Sequence, residues 1–320
     1  MESDFFDFVL QRQSIWYKRF ALGQEAPWTP DSVLQQYKIL NVYRELDKGT
    51  RYILDKLKGM KDRKAILLNI VFYRFFNRFD LYENLGIKPF HSVDNNLMND
   101  LKAKLGKLKE QGKPIFNDAY LIAGKKGEQK YSSVLNSLSW LNENADDIIN
   151  RVDNTKTPED SFKIIKEIPL VGNFLAYEIW TDLTYFGFFR QGWTDNDFVN
   201  IGPGASWGLK IIYGKLTKKE ETERLKHLYE IQNQFLNNKK WLEIHNKNAF
   251  SNKPFLSLRN MEHSLCEFRK YYNIKNGKGK RRFFLISRPY FLPRSSSKLR
   301  KEKTNSKNLR IVSRITIKNR

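Results

Sequence analysis

Apolar residues recur at helical spacing through most of the chain, and they divide it into a series of helices. Asp4 to Leu22 carries Phe5, Phe8, Val9, Ile15, Trp16 and Phe20 on one side, and Gly23 to Pro30 reads as a loop. Thr29-Pro30-Asp31 is a helix-start signal, and the spacing of Val33, Leu34, Tyr37, Leu40, Val42, Tyr43 and Leu46 predicts a helix behind it. Lys61 to Tyr82 is apolar nearly all round, which predicts a central, buried helix. Further helices are predicted over Asp94–Gln111, Asn117–Ala123, Tyr131–Val152, Trp207–Tyr213, Thr217–Asn237 and Phe255–Tyr272, the last begun by Asn252-Lys253-Pro254. No β-rich segment precedes Phe283; beyond it only Leu309 to Lys318 alternates apolar and polar positions in the manner of a strand. The expected fold is therefore mainly α, a multi-helix bundle.

The stretch from Thr157 to Tyr213 has the densest local signals. Thr157-Pro158-Glu159-Asp160 offers a capping hydroxyl, a proline at the first helical position and acids toward the positive end of the helix dipole. A helix over Ser161–Glu167 is broken by Ile168-Pro169-Leu170-Val171-Gly172, and a second helix starts at Asn173 and runs to about Tyr185. Two helices joined by a short turn leave unpaired N–H groups at the start of the second, where they can hold a phosphate. Asp195 and Asp197 follow, then Gly202-Pro203-Gly204. Two acids and two glycines beside such a turn have the makings of a site; an ordinary helical turn followed by a polar loop is the plainer alternative.

Polar residues inside the apolar runs are the other candidates. Arg44, Asp47 and Arg51 share a helical face, which reads as a solvated salt-bridge face. Tyr73, Arg74, Asn77 and Arg78 lie within the most apolar helix. Burying an arginine is costly without a partner, so these residues line a polar cleft or face the edge of the core, and four polar groups at helical spacing favour the cleft. Glu262, His263, Cys266, Glu267 and Lys270 occupy adjoining faces of the last helix.

Charge then narrows the partner. The chain has 57 Lys+Arg against 35 Asp+Glu, a net charge of +22. Residues 277–320 contain 15 Lys/Arg and one acid, so +14 of that charge lies there. The expected organisation is a helical domain over 1–276 and a basic, largely disordered tail over 277–320 that includes Lys278, Lys280, Arg281 and Arg282. This balance favours a nucleic acid over a membrane. One cysteine and four histidines exclude a disulfide framework and a Cys/His zinc site. The low cysteine usage, the acidic N-terminus and the lack of an apolar run near 20 residues point to an intracellular protein. Gly124-Lys125-Lys126-Gly127 is no phosphate-binding P-loop, since G-x-x-x-x-G-K-[ST] is absent.

Pro169, Val171, Gly172 and Ala176, with Asp197 or Asp195 following, resemble the helix-hairpin-helix DNA glycosylase superfamily, whose hairpin reads P-G-V-G. Leu170 replaces its first glycine, and Phe174 stands where bifunctional members carry a lysine nucleophile. A resemblance over nearly the whole body rests on Pro27-Trp28-Thr29 with Asn41 to Asp47, on Phe72 to Arg78, on Asp197-Phe198-Val199-Asn200 with Gly202 to Ala205, and on Glu262 to Phe268 with Lys270-Tyr271. These motifs are similar to the 5-hydroxymethyluracil DNA kinase helical domain family. That family is related in turn to the alpha-glutamyl/putrescinyl thymine pyrophosphorylases of DNA hypermodification.

The resemblance implies chemistry on the 5-position of a thymine-derived base in DNA, in a phosphoryl- or pyrophosphoryl-linked transfer. It implies Asp197 or Asp195 as general base, with Glu262 and Glu267 as further candidates. Arg44, Arg74 and Arg78 would bind phosphate, with Tyr73, Asn77 and Asn200 beside them. Pro169, Val171, Gly172 and Asn173 would hold the DNA backbone. A phosphoryl transfer would call for Mg2+ and a nucleotide, with Asp197 a metal ligand if magnesium takes part, and no metal site is otherwise assigned. Two alternatives remain open: a helical DNA-binding module that works with a partner kinase, and a monofunctional DNA glycosylase.

Overall fold

The computed structural model describes residues 1–117, 127–245 and 254–278. Every regular element among them is helical, and none is a strand. The 13 α-helices gather around two apolar clusters.

The first cluster surrounds α4 (Arg63–Phe76), the run that reads as apolar nearly all round. It packs against α7 (Lys130–Asp153) and α9 (Asn173–Thr184), with α3 (Lys48–Lys56), α5 (Phe79–Leu85), α6 (Asn95–Glu110) and α8 (Pro158–Ile165) outside them. The second cluster joins α1 (Glu2–Trp16) and the short α2 (Ser32–Gln36) to α10 (Pro203–Tyr213), α11 (Lys218–Leu236), α12 (Lys239–Ile244) and α13 (Leu258–Lys275). Its largest helix interface is that of α10 on α13.

Several boundaries differ from the sequence expectation, three of them with a local cause on view. The helix expected from Asp31 through Leu46 stops at Gln36; Tyr37 and Tyr43 are extended, and a single helical turn follows at Arg44–Leu46. Polar side chains capture the backbone groups a helix would need. The Asn41 amide donates to the Leu46 carbonyl (3.0 Å) and to Asp47 Oδ1 (3.1 Å), while Leu40 N–H is taken by Glu267 Oε2 (2.9 Å). The helix expected over Lys61–Tyr82 ends at Phe76 because Asn77 adopts a left-handed backbone with φ 47°, a conformation asparagine tolerates. The last helix starts at Leu258, where Ser257 accepts from Asn260 N–H as cap. The sequence reading passed over α3 and α12 altogether. The segment expected to be helical over Asn117–Ala123, apart from Asn117, and the tail from residue 279 lie outside the described residues.

The capping signal before α8 operates as read. Thr157 Oγ1 accepts from Asp160 N–H (3.1 Å), with Pro158 at the first helical position. In the turn that follows, Ile168 and Val171 are buried, and Ser137 Oγ donates to the Pro169 carbonyl at 2.6 Å. Leu170 takes φ 69°. This is the left-handed region that glycine occupies without penalty and that costs other residues about 1 kcal/mol. Leucine thus stands at a backbone position suited to glycine, held there by the apolar anchors on either side.

Candidate functional site

Six ionised side chains meet in the interior, carried by four separate elements. Arg44 comes from the helical turn 44–46, Arg74 from α4, Glu178 and Asp182 from α9, and Arg259 and Glu262 from α13; all six are buried. Glu178 and Asp182, four residues apart, share one face of α9. Asp182 receives Arg74 in a two-point pair, Nε at 2.5 Å and Nη2 at 2.9 Å, and Arg44 Nη1 lies 3.3 Å away. Glu178 bridges Arg44 and Arg259, one on each carboxylate oxygen. Arg259 in turn reaches Glu262. Thr50 Oγ1 accepts from both Arg44 Nη1 (2.5 Å) and Arg74 Nη2 (3.1 Å), and Asn77 Oδ1 accepts from Arg74 Nη1 at 2.8 Å.

Three guanidinium groups face three carboxylates, so the centre is formally neutral. Burial alone would raise the Glu178 carboxyl, but the charges of Arg44, Arg259 and Arg74 overcome it and hold the group well below the usual carboxylate range. The consequence for stability has a definite sign. The folded-state value lies below the unfolded value of about 4.3. The contribution is fully present above that pH and is lost as pH falls toward the folded value. Urea midpoints measured from about pH 5 to about pH 3 are expected to fall for the natural chain and to fall less steeply for Glu178→Gln, which removes that titrating group. Parallel curves would dissociate Glu178 from the acid sensitivity.

The network also fixes the polar loop between α9 and α10. Glu262 Oε1 accepts from Gly202 N–H (3.2 Å), Arg259 N–H donates to the Asp195 carbonyl (3.2 Å), and Ser257 Oγ donates to Asp195 Oδ2 (2.7 Å). Burial raises the Asp195 carboxyl above its ordinary value, against the hydrogen bond from Ser257 and the charge of Arg259. Asp197 is exposed, and its Oδ2 accepts from Thr194 N–H (2.7 Å) and Thr194 Oγ1 (2.8 Å), closing a local turn. Asn200 lies across this loop with its amide 3.5 Å from the Asn173 carbonyl at the start of α9.

The structure therefore brings Arg44, Arg74, Asn77 and Glu262 into one ion network, with Asp195 against its edge. Arg44 is interior rather than on a solvated face, since Glu178 and Asp182 neutralise it. Tyr73 is buried on the same helix, and its hydroxyl has no hydrogen-bond partner among the described residues. Arg78 stands apart, half-buried and paired with Asp80. Glu267 is remote as well, bonded to Leu40 N–H and Lys270. Gly172 and Asn173 are exposed at the start of α9, which has no side-chain cap, and Phe174 beside them is 53 % exposed. Lys278 is exposed after α13, and Lys280, Arg281 and Arg282 lie outside the described residues. Glu178, Asp182, Arg259 and Thr50 were absent from the sequence candidates. The signal for the first two existed: a Glu and an Asp at i, i+4 in an otherwise apolar helix, the same anomaly that drew attention to Arg74.

The glycines of Gly202-Pro203-Gly204 have a packing explanation. Gly202 closes on Glu262, and Gly204 lies directly against Cys266 of α13. Burial pushes the Cys266 thiol up to about 11, as suits a packing residue. Among the described residues no group of three or more His, Cys, Asp or Glu is placed to hold a metal ion, and no helix is long and apolar enough to cross a membrane.

Comparison with known proteins agrees with this body plan. A protein of Bacillus phage SP10 named 5-hmdU DNA kinase is 29 % identical over 286 residues, which cover 83 % of this chain and 44 % of the phage protein. The chain thus spans less than half the length of that relative. No solved structure matches. The family model described as 5-hmdU DNA kinase, helical domain, matches residues 1–281, so the chain belongs to that family.

Proposed function

We propose that this chain is the DNA-handling part of a 5-hydroxymethyluracil DNA kinase: it grips the DNA backbone at the α8–α9 turn and presents the hydroxymethyl group of a modified base for phosphorylation. The observation that carries the reading is the family match across residues 1–281, which embraces the whole described body. Three features support it. The start of α9 is exposed and uncapped, with the positive end of a 12-residue helix behind it. Pro169 and Val171 are packed so that Gly172 and Asn173 stand outermost. The net charge of +22 suits a polyanion. The base would leave the stack to expose its substituent.

In this reading Asp197 is the general base. It takes the proton from the hydroxymethyl O–H as that oxygen bonds to phosphorus and the donor's P–O bond breaks. Asp195, Glu262 and Glu267 are engaged with Ser257, Arg259 and Leu40, and take positioning roles. Arg44 and Arg74 hold α9 in place through their carboxylate partners. Among the described residues no group of three or more His, Cys, Asp or Glu is placed to hold a metal ion, and the sequence has no G-x-x-x-x-G-K-[ST]. The reading therefore gives the donor site to a partner or to a segment of the kind that makes up the remaining length of the SP10 protein.

The test is mass spectrometry of nucleosides from hydroxymethyluracil DNA incubated with ATP and Mg2+. The chain is supplied alone and together with the unmatched part of the SP10 kinase. Phosphorylated base is expected only from the combination, beside DNA binding by the chain alone. Phosphorylation by the chain alone would return the donor site to this polypeptide, and free base would mean cleavage of the glycosidic bond instead. Within the combination, Asp197→Asn is expected to lower turnover roughly 100-fold or more while DNA affinity stays unchanged. Full turnover in that variant would remove Asp197 from the chemistry.

A further inference from the structure

Helix α10 buries one side and presents the other to solvent. Ala205, Ser206, Gly208 and Leu209 are buried, and Gly204 and Gly208 lie against α13. Pro203, Trp207 and Lys210, spaced by four and three residues, share the outer face and are exposed. Trp207 is 58 % exposed, the one exposed side chain among the seven tryptophans. It belongs to neither apolar cluster, and its indole makes no hydrogen bond or ring contact among the described residues. Tryptophan is ordinarily well covered, and an uncovered one suits a partner because its large rigid ring is ordered at little entropic cost.

Place and charge indicate what covers it. Helix α10 begins three residues after Asn200, whose amide lies 3.5 Å from the Asn173 carbonyl at the start of α9. Three residues span at most about 10 Å and the turn from Pro203 to Trp207 rises about 6 Å, so Trp207 lies within roughly 16 Å of Asn200. That is about five base steps of one strand, so DNA held at the α8–α9 turn can also reach Trp207. From Pro203 to Lys219 the chain carries Lys210, Lys215, Lys218 and Lys219 and no acid, and all four lysines are exposed. Lys210 and Lys218 reach Glu221 (3.7 and 2.8 Å), and Lys219 reaches Glu223 (3.9 Å). Ion pairs of exposed lysines are weak, so a phosphate competes for these ammonium groups. A flat ring on a lysine-bearing surface is how proteins take bases without reading sequence. Inside a closed duplex no base face is free, so the ring needs a base that has left the stack or the neighbour it uncovers.

We propose that the outer face of α10 is a second DNA contact: the Trp207 indole stacks on a base of a locally unpaired strand, and Lys210 and Lys215 meet the phosphates beside it. The proposal rests on the DNA reading above and adds to it a preference for DNA that is already opened.

The experiment records tryptophan emission and the anisotropy of labelled DNA, with the full chain and two duplexes. One duplex is fully paired and the other has a single bulged hydroxymethyluracil. The bulged duplex is expected to bind the natural chain more tightly and to quench part of its emission, and Trp207→Phe should abolish that quenching. Trp207→Ala is expected to weaken bulged-duplex binding about tenfold and to leave paired-duplex binding unchanged, in line with the loss of one base–aromatic stack. Trp207→Phe, which keeps a ring, should retain most of the affinity, and its emission decides the matter if thermal melting shows that Trp207→Ala does not fold. Quenching that persists in Trp207→Phe, or a folded Trp207→Ala that binds the bulged duplex as the natural chain does, overturns the assignment and leaves the DNA reading standing. Unchanged DNA binding by Trp207→Ala with loss of phosphorylation in the combination with the SP10 segment would give this face to a protein partner instead. Failure of the natural chain to bind either duplex overturns both.

Discussion

Asp182→Ala is expected to cost the fold about 3–5 kcal/mol, the amount typical of removing one partner from a buried ion pair. Asp182 is fully buried. Its loss strips two bonds from Arg74 and one ion pair from Arg44. Both arginines are buried, so water does not replace the lost carboxylate in the folded protein. At roughly 2–4 °C per kcal/mol for a body of this size, the melting temperature should fall by about 10 °C. A partner substitution separates the charge penalty from lost packing. In Asp182→Leu combined with Arg74→Met the unpaired charge is gone, and most of the loss should be recovered, because apolar replacements of a buried pair are often neutral. Thermal melting of the single and double variants reads both. A double variant no better than Asp182→Ala would mean that the pair matters for its shape and hydrogen bonds rather than for its charge balance.

How far the sequence foretold this centre depends on the residue. Arg74 was visible as an arginine inside the most apolar run, and the cost of burying it demanded partners. The partners were not visible. Asp182 lies 108 positions away and Glu178 134 positions from Arg44, and a pattern read along one helix carries no information about which face of another it meets. The expectation of a cleft was the natural consequence. Without the carboxylates, buried arginines imply a vacancy for an anion; with them, the need is met from inside.

Local signals fared according to what competed with them. The Thr157 cap and the turn before Asn173 are short-range features, and the chain obeys them. The periodicity from Val33 to Leu46 is equally regular, but Asn41 and the distant Glu267 bind the backbone groups a helix would use. One local and one long-range hydrogen-bond partner thus overrode a regular helical pattern. That Gly172, Asn173 and Asp197 lie at short exposed turns was legible from neighbouring residues, whereas the buried ion network, assembled from four elements, was not.

Gly208→Ala is expected to be the most damaging glycine-to-alanine change among the described residues. A Cβ there would sit 2.9 Å from the Leu265 carbonyl carbon and closer still to its oxygen, both of them backbone atoms of α13. Helix backbones cannot step aside as a side-chain tip can, so α10 and α13 must separate along the largest interface of the second cluster. Overpacking of this kind costs about 1–3 kcal/mol and more where the backbone has to move. Gly204, one helical turn earlier on the same face, is the control. Its added Cβ would collide with the Cys266 side chain, with the sulfur nearest and Cβ at 3.2 Å. Gly204→Ala should therefore be largely rescued by Cys266→Ala, which removes the sulfur. No side-chain truncation on α13 can rescue Gly208→Ala, because the obstacle is a carbonyl. Urea unfolding of the two single variants and of each combined with Cys266→Ala measures the couplings. Rescue at 204 and none at 208 would establish that these glycines set the distance between α10 and α13. That distance also holds Glu262 against Gly202, and with it the loop that bears Asp195 and Asp197. Equal rescue at both positions would mean that α13 yields at Leu265, and the glycines would then not be what positions the loop.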